Sequence, residues 1–302
     1  MKASAECASV SLAARQSAVG VEPDPPVARR RALQVIEPRS GWAALDLREI
    51  WQHRNLLLTL AGRDTKLRYK QTALGVAWVL LQPLLAAAIF AFVFGKVLHA
   101  KSDGVPYYMF CFGGLLAYNA FISTLTKISA CVVGNSQLVS KVYFPRLILP
   151  LSTIGSTLID FLVAGAVMVG MMAYTKIWPG SEVLLLPVWL ALMITLALGL
   201  GLYTSALMVS YRDLQYVVPV LLQFILYASP VMYPVSQVPE RFWLWYYANP
   251  IAGLLEAFRW SLTGKGAIHW NAVAYSAAVV AIVFVVGAFS FKKMERRFAD
   301  VI

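Results

Sequence analysis

A few charged and aromatic residues stand out against a very apolar chain, and their spacing limits the chemistry open to them. Asp160 sits inside a long apolar run, STLIDFLVAG. An ionisable group there is costly to hold in lipid, and it marks either pairing between helices or contact with a substrate. Glu256 and Arg259 are three residues apart. A helix brings them onto one face, where they can form a local ion pair or serve as gate contacts. Arg212-Asp213 closes another apolar run, either as a topology anchor or as the lining of a substrate entrance. Finally, residues 137–150, QLVSKVYFPRLILP, crowd Lys141, Val142, Tyr143, Phe144, Pro145 and Arg146 into one short connection.

Sites for covalent chemistry are not apparent. Gly264-Lys265-Gly266 has neither the upstream glycine nor the following Ser or Thr of a nucleotide-binding P-loop. There is no nucleophile elbow and no HExxH. Cys7, Cys111 and Cys131, and His53, His99 and His269, are scattered without metal-ligand spacing. The chain reads as a non-enzyme with no metal and no cofactor of its own.

The elements that carry these residues follow from composition. Of 302 residues, 59% are hydrophobic and only 14% charged, against about a quarter charged in a soluble domain. So little charge cannot cover a water-facing surface. The net charge of +11 fits positive loops on the cytoplasmic side of a membrane better than nucleic-acid binding. Residues 1–40, which include VEPDPPVARRR, have the composition of a disordered tail, without the apolar core of a signal peptide. The domain boundary is placed after residue 44, with residues 45–302 as a membrane domain.

Within that domain, Leu45 to Lys70 mixes Trp51 and several leucines with Arg and Lys, which suits a helix lying at the membrane interface. Arg63 falls nearly on the face of Leu56, so a break near Gly62 is expected. Six apolar runs follow, at 74–95, 107–131, 148–175, 183–209, 215–234 and 270–291. Each is long enough to cross about 30 Å of hydrocarbon. Lys and Arg are denser on the side that holds 63–70, 132–147, 210–214 and 292–297, so both termini are expected in the cytoplasm. Residues 235–269 split at Asn249-Pro250 into two apolar pieces rich in Trp and Tyr. Each is too short to span and fits a re-entrant or interfacial helix. Gly199, Gly201, Gly165 and Gly170 permit close helix packing.

Five blocks, in order, resemble a known family. They are RDTKLRYKQTALGVAWVLLQP (63–83), NSQLVSKVYFPRLILP (135–150), SYRDLQYVVPVLLQF (210–224), SPVMYP (229–234) and NPIAGLLEAFR (249–259). Together they are similar to the ABC-2 type transport permeases that export polysaccharides, over about residues 45–302. The resemblance implies an all-α membrane protein with an N-terminal interface helix, six transmembrane helices and two re-entrant gate helices between spans five and six. It implies a homodimer in the bacterial inner membrane, two copies of a separate ATPase subunit that binds the ATP, and a glycan substrate on polyprenyl diphosphate. Membrane lipid is the other expected contact, and no nucleic acid is expected.

The resemblance also suggests roles. The 137–150 loop would be a coupling helix for the ATPase, with Leu138, Val142 and Tyr143 as its apolar face. Phe144-Pro145 would end it, and Lys141 and Arg146 would pair with acidic groups or phospholipid. Glu256 and Arg259 would hold the outer gate. Arg212 and Asp213 would line the cytoplasmic entrance. A sliding polymer needs many weak contacts, which aromatic rings can supply. The conduit candidates are Tyr107, Tyr108, Phe112, Tyr118, Phe224, Tyr227 and Tyr233. Other expected cargoes are a capsular polysaccharide, teichoic acid, or a drug or small lipid. An ion-driven transporter would show internal repeats, and a membrane glycosyltransferase would show clustered carboxylates or histidines. Neither pattern is visible.

Overall fold

The computed structural model describes residues 47–70, 77–100, 102, 104–266, 268–295 and 298; the expected tail, residues 1–44, lies outside them. Every regular element among the described residues is helical. Helices α1 (Leu47–Gln52) and α2 (Arg54–Lys70) are followed by α3 (Ala77–Phe90), which widens into π-helical turns over Ala91–Val97. Then come α4 (Tyr107–Gly134), the short α5 (Ser136–Lys141), α6 (Ile148–Thr175), α7 (Leu186–Ser210), α8 (Leu214–Ala228), α9 (Trp243–Ala248), α10 (Pro250–Thr263) and α11 (Trp270–Glu295).

Among the described residues, five segments are long and apolar enough to cross a membrane: Leu80–Val97, Tyr107–Gly134, Ile148–Thr175, Ser181–Ser210 and Trp270–Glu295. They coincide with five of the six expected runs. The run at 215–234 differs. Its helix, α8, has 15 residues and is only about 22 Å long at 1.5 Å per residue. Pro230 ends it early, because the residue before a proline is steered out of the helical region. Ser229 is accordingly extended, with ψ 153°.

The interface segment also departs from expectation. It breaks at His53, between α1 and α2, and runs unbroken through Gly62. Packing explains this. Leu60 is buried, and Ala61 lies so close to α6 that a Cβ on Gly155 would meet its methyl at 3.2 Å. Such contacts outweigh the roughly 1 kcal/mol a helical glycine costs.

The bundle is built around α4. Met109, Phe112, Tyr118, Phe121 and Ile128 have at most 1% of their surface exposed, and α4 packs on α6 and α7, with α7 in turn against α11. Glycines set the α7–α11 crossing. A Cβ on Gly287 would sit 2.0 Å from the carbonyl oxygen of Gly199, so the two backbones touch there. A Cβ on Gly201 would lie 2.7 Å from the Ile128 side chain of α4. Gly165 and Gly170, by contrast, face open space and mark no helix contact among the described residues.

The two apolar pieces expected around Asn249-Pro250 are α9 and α10. Asn249 caps α10, its side-chain oxygen accepting from the Ile251 N–H at 3.0 Å. Pro250 occupies the first helical position, where its missing N–H costs nothing. Gly264 closes the helix in the left-handed region, φ 64°. Nearly every residue of α10 is buried, because it packs against α4, α7 and α11.

Candidate functional site

One end of the bundle carries the crowded 137–150 connection. α5 ends at Lys141, and Val142 is already extended. The expected contact residues divide into two sets. Val142 and Tyr143 are 52% and 66% exposed, Lys141 is exposed and Leu138 half-buried. Phe144 is buried. The Arg146 guanidinium turns inward, donating to the Glu295 carbonyl at 2.7 Å and lying 5.5 Å above the Phe298 ring. Arg146 therefore ties the loop to the end of α11 and does not project with the tip as expected. A second tie joins α2 to this end: Arg63 donates to the Asn135 side-chain oxygen at 2.8 Å. Arg212 and Asp213, the expected entrance, are exposed just before α8.

Asp160 is paired. Lys127 of α4 reaches it at 3.2 Å, and the same ammonium donates to Ser156 at 2.9 Å and Thr157 at 3.3 Å. Of the two readings open for Asp160, this geometry is that of helix–helix pairing. Sequence reasoning missed Lys127. The signal was available, since Lys127 is the single charged residue of α4 and an intramembrane cation calls for an anion.

At the other end, Glu256 and Arg259 interact electrostatically, and each also has partners on other elements. The Glu256 carboxylate accepts from the Tyr247 hydroxyl at 3.2 Å and meets His269 Nδ1 at 3.0 Å. Arg259 donates to the Pro230 carbonyl at 2.5 Å and stacks 4.1 Å over the Phe110 ring. Glu256 thus joins α9, α10 and the residue preceding α11, while Arg259 holds α10 to α4 and to the turn after α8. Burial raises the Glu256 carboxyl above its ordinary value, with His269, Tyr247 and Arg259 pulling the other way. Trp243 closes the group, its ring 5.6 Å from that of His269. A cavity of about 420 Å³ opens among these side chains, lined also by Trp260 and Lys265.

The seven aromatic candidates are not equivalent. Phe112 and Tyr118 are buried in the core, and the Tyr118 hydroxyl donates to the Leu222 carbonyl. They are packing residues, which corrects the lining expected of them. Tyr107 is half-buried and donates to the Met232 carbonyl; Tyr108 packs against the core. Tyr233 stacks 6.3 Å from Tyr246. Phe224 and Tyr227, on α8, are 67% and 55% exposed.

α8 itself is held by a narrow stripe. Only Val218 and Leu222 are buried along it. At about 100° per residue, Gln223 and Tyr227 fall within about 20° of the direction of Tyr216, and all three are exposed. Phe224 points elsewhere, with exposed Val217 and Leu221. The helix therefore has three faces: one packed, one purely apolar, and one carrying two phenols and an amide.

Residues 55–263 match the ABC-2 type transporter family. The chain is 32% identical over 216 residues to the O-antigen export system permease protein RfbA of Myxococcus xanthus, covering 70% of this chain and 82% of that protein. It is 29% identical over 251 residues to the Klebsiella pneumoniae protein of the same name, covering 82% and 95%. It is 24% identical over 204 residues to the polysialic acid transport protein KpsM of Escherichia coli, covering 65% and 77%. With its helical bundle, its five long apolar helices and a match over most of its length, the chain belongs to the ABC-2 type transporter membrane family.

Proposed function

We propose that this chain is the channel-forming permease subunit of an ABC exporter that moves a lipid-linked polysaccharide, such as O-antigen, across the bacterial inner membrane. The observation that carries the reading is the polar face of α8. Tyr216, Gln223 and Tyr227 form an exposed stripe on a helix that the rest of the chain barely holds. An amide facing lipid leaves its hydrogen bonds unmade, which is costly. The stripe is satisfied if it lines a hydrated path between two copies of the chain. The names of the relatives supply the cargo class, and the polyprenyl-diphosphate carrier follows from the family resemblance.

In this reading the protein is a homodimer with two ATPase subunits, which bind and hydrolyse the ATP. α8 is the fifth of six crossings, its short helix completed by residues 229–234. α9 and α10 are re-entrant gate helices at the outer mouth, held by Glu256 and Arg259. α1 and α2 lie at the inner interface, both termini are cytoplasmic, and Arg212 and Asp213 flank the inner entrance. The exposed tip at Val142 and Tyr143 docks on the ATPase.

The test is removal of the chain from its host. The expected result is loss of surface glycan with accumulation of lipid-linked polymer inside the cell, restored by the chain only when its ATPase partner is present. Unchanged surface glycan would refute the assignment.

A further inference from the structure

Side chains at the cavity end close a triangle of contacts. His269 Nδ1 lies 3.0 Å from Glu256 Oε1 and 2.9 Å from the Tyr247 hydroxyl, which is itself 3.2 Å from Glu256 Oε2. Tyr247 comes from α9, Glu256 from α10, and His269 directly precedes α11. The triangle therefore fastens the two short helices to the last long one. The Glu256 side chain is 9% exposed and that of His269 37%. Both line the cavity of about 420 Å³, which gives protons a route to the pair.

The hydrogens in the triangle decide how well it holds. With the imidazole charged, Nδ1–H donates to Oε1 and Tyr247 donates to Oε2. Both carboxylate oxygens are then served, and one bond joins opposite charges. Such bonds are roughly twice as strong as neutral ones. Loss of the proton has two outcomes. Either Nδ1 keeps its hydrogen and becomes a neutral donor, or the hydrogen moves to Nε2. In the second case Nδ1 and Oε1 face each other as acceptors, and the Tyr247 hydrogen can serve only one of Nδ1 and Oε2. Both outcomes weaken the hold on a buried carboxylate. Arg259 also interacts with that carboxylate, but a guanidinium stays charged throughout. Burial pushes the Tyr246 and Tyr247 phenols of α9 up from their ordinary value, so they stay protonated. On α4, Tyr107 and Cys111 stand beside Arg259. Tyr275 of α11 donates to the Ala248 carbonyl at 3.4 Å, and α7 carries no charged residue. Lys265 shares the cavity, its ammonium on the Gly104 carbonyl at 2.8 Å. Glu182, in the turn at Ser181–Leu185 that also packs on α10, lines a separate cleft with Lys265.

We propose that Tyr247, Glu256 and His269 form a proton-operated latch: the proton shared by Glu256 and His269 holds α9 and α10 to the start of α11, and its release at higher pH loosens them. Histidine changes charge between about pH 5 and 8. Across that range the stabilisation is present while the proton is bound and is lost as pH rises through its release. The midpoint belongs to the pair and not to either residue alone. The contacts by themselves make the latch; its place at an outer gate rests on the exporter reading above. There, external pH sets how firmly α9 and α10 are fastened, and so how readily the mouth opens.

The test uses the purified full-length chain in lipid nanodiscs, with imidazole nitrogen NMR and amide hydrogen exchange from about pH 5 to about pH 9, a span that brackets histidine titration. The chain has three histidines, and the signal missing from His269→Gln is that of His269. It should titrate within this span. Exchange protection of α9 and α10, corrected for the intrinsic pH dependence of exchange, should fall about tenfold or more with the same midpoint, as expected for loss of a charged hydrogen-bond partner. Protection at the centre of α4 should not follow it. His269→Gln and Glu256→Gln should each give protection in α9 and α10 that is flat with pH. Tyr247→Phe removes one corner and leaves the proton pair, so it should be less protected throughout and keep the pH dependence. A His269 that does not titrate, flat protection in the native chain, or pH dependence that survives in both Gln variants would each overturn the proposal. Surface glycan is scored separately in cells. Normal export by a chain whose protection is flat sinks the latch alone. A pH response as expected, in a chain whose removal leaves surface glycan unchanged, supports the latch and sinks the exporter assignment.

Discussion

Breaking the Lys127–Asp160 pair should have an effect that depends on which partner is removed. The Lys127 side chain is 24% exposed and that of Asp160 11%. Removing one partner of a buried pair costs about 3–5 kcal/mol, because the other charge is left buried. Asp160→Leu strands Lys127, but its ammonium keeps the Ser156 and Thr157 hydroxyls at 2.9 and 3.3 Å, and a long side chain can reach toward water. That variant should lose about 1–2 kcal/mol, below the buried-pair range. Lys127→Met takes from the more enclosed carboxylate the ammonium that donates to it at 3.2 Å. The loss should be about 3 kcal/mol or more.

The double variant removes both charges and should sit no lower than Lys127→Met, giving a coupling of about 1–2 kcal/mol. The assay is the unfolding free energy in mixed micelles for the four proteins of the cycle. Additive single losses would refute the pairing argument. Equal losses in the two singles would refute the argument from the Ser156 and Thr157 hydroxyls.

Three further outcomes follow from the geometry. Tyr143→Ala should leave the chain folded and weaken ATPase co-purification by about 2 kcal/mol, roughly thirtyfold, as for an aromatic interface anchor; Arg146→Ala should instead lower the thermal stability of the isolated chain, and the reverse pattern would contradict the division of the loop. Cysteine at position 227, in a background lacking the native cysteines, should react with a small polar thiol reagent added from outside, while cysteine at 224 should not; an unreactive position 227 in an actively exporting complex would remove it from the conduit. Glu256 has a folded value raised by burial, so its contribution to stability is full below the unfolded value near 4.5 and is lost as pH rises through the folded value; Glu256→Gln should therefore gain on the native chain between acidic and neutral pH in thermal denaturation, and a pH-independent difference would contradict the shift.

Much of the helical plan could be read from the sequence, because length and apolarity decide it locally. The start of α10 is legible in Asn249-Pro250, and a close helix contact in Gly199, though not which helix it meets. What escaped depends on residues that meet only through the fold. The i, i+3 rule sees one helix, so it points from Glu256 to Arg259 and not to His269, thirteen residues on, which meets the carboxylate at 3.0 Å. Asp160 drew notice and Lys127 did not, since each was weighed within its own run. Phe112, Tyr118 and Phe224 look alike in sequence; only packing separates the first two, buried, from the third, exposed. Gly62 looks like a break in the sequence because the contact of Ala61 with α6 is invisible from α2 alone.

The two arginine ties at the loop end bear on how force travels. Asn135 is the hinge residue between α4 and α5, and through it Arg63 fastens α2. Arg146 fastens the far side of the same loop to α11. A displacement applied at Tyr143 therefore cannot be absorbed by local flexing of a free loop. It acts like a handle bolted to three beams, pulling α2, α4 and α11 in the same stroke. The last two run from this end to the cavity end, where α4 presents Phe110 to Arg259 and the approach to α11 presents His269 to Glu256. If the ATPase docks at Tyr143 as proposed, a stroke taken up there would reach, along these two stiff helices, the two contacts that keep α10 in its place.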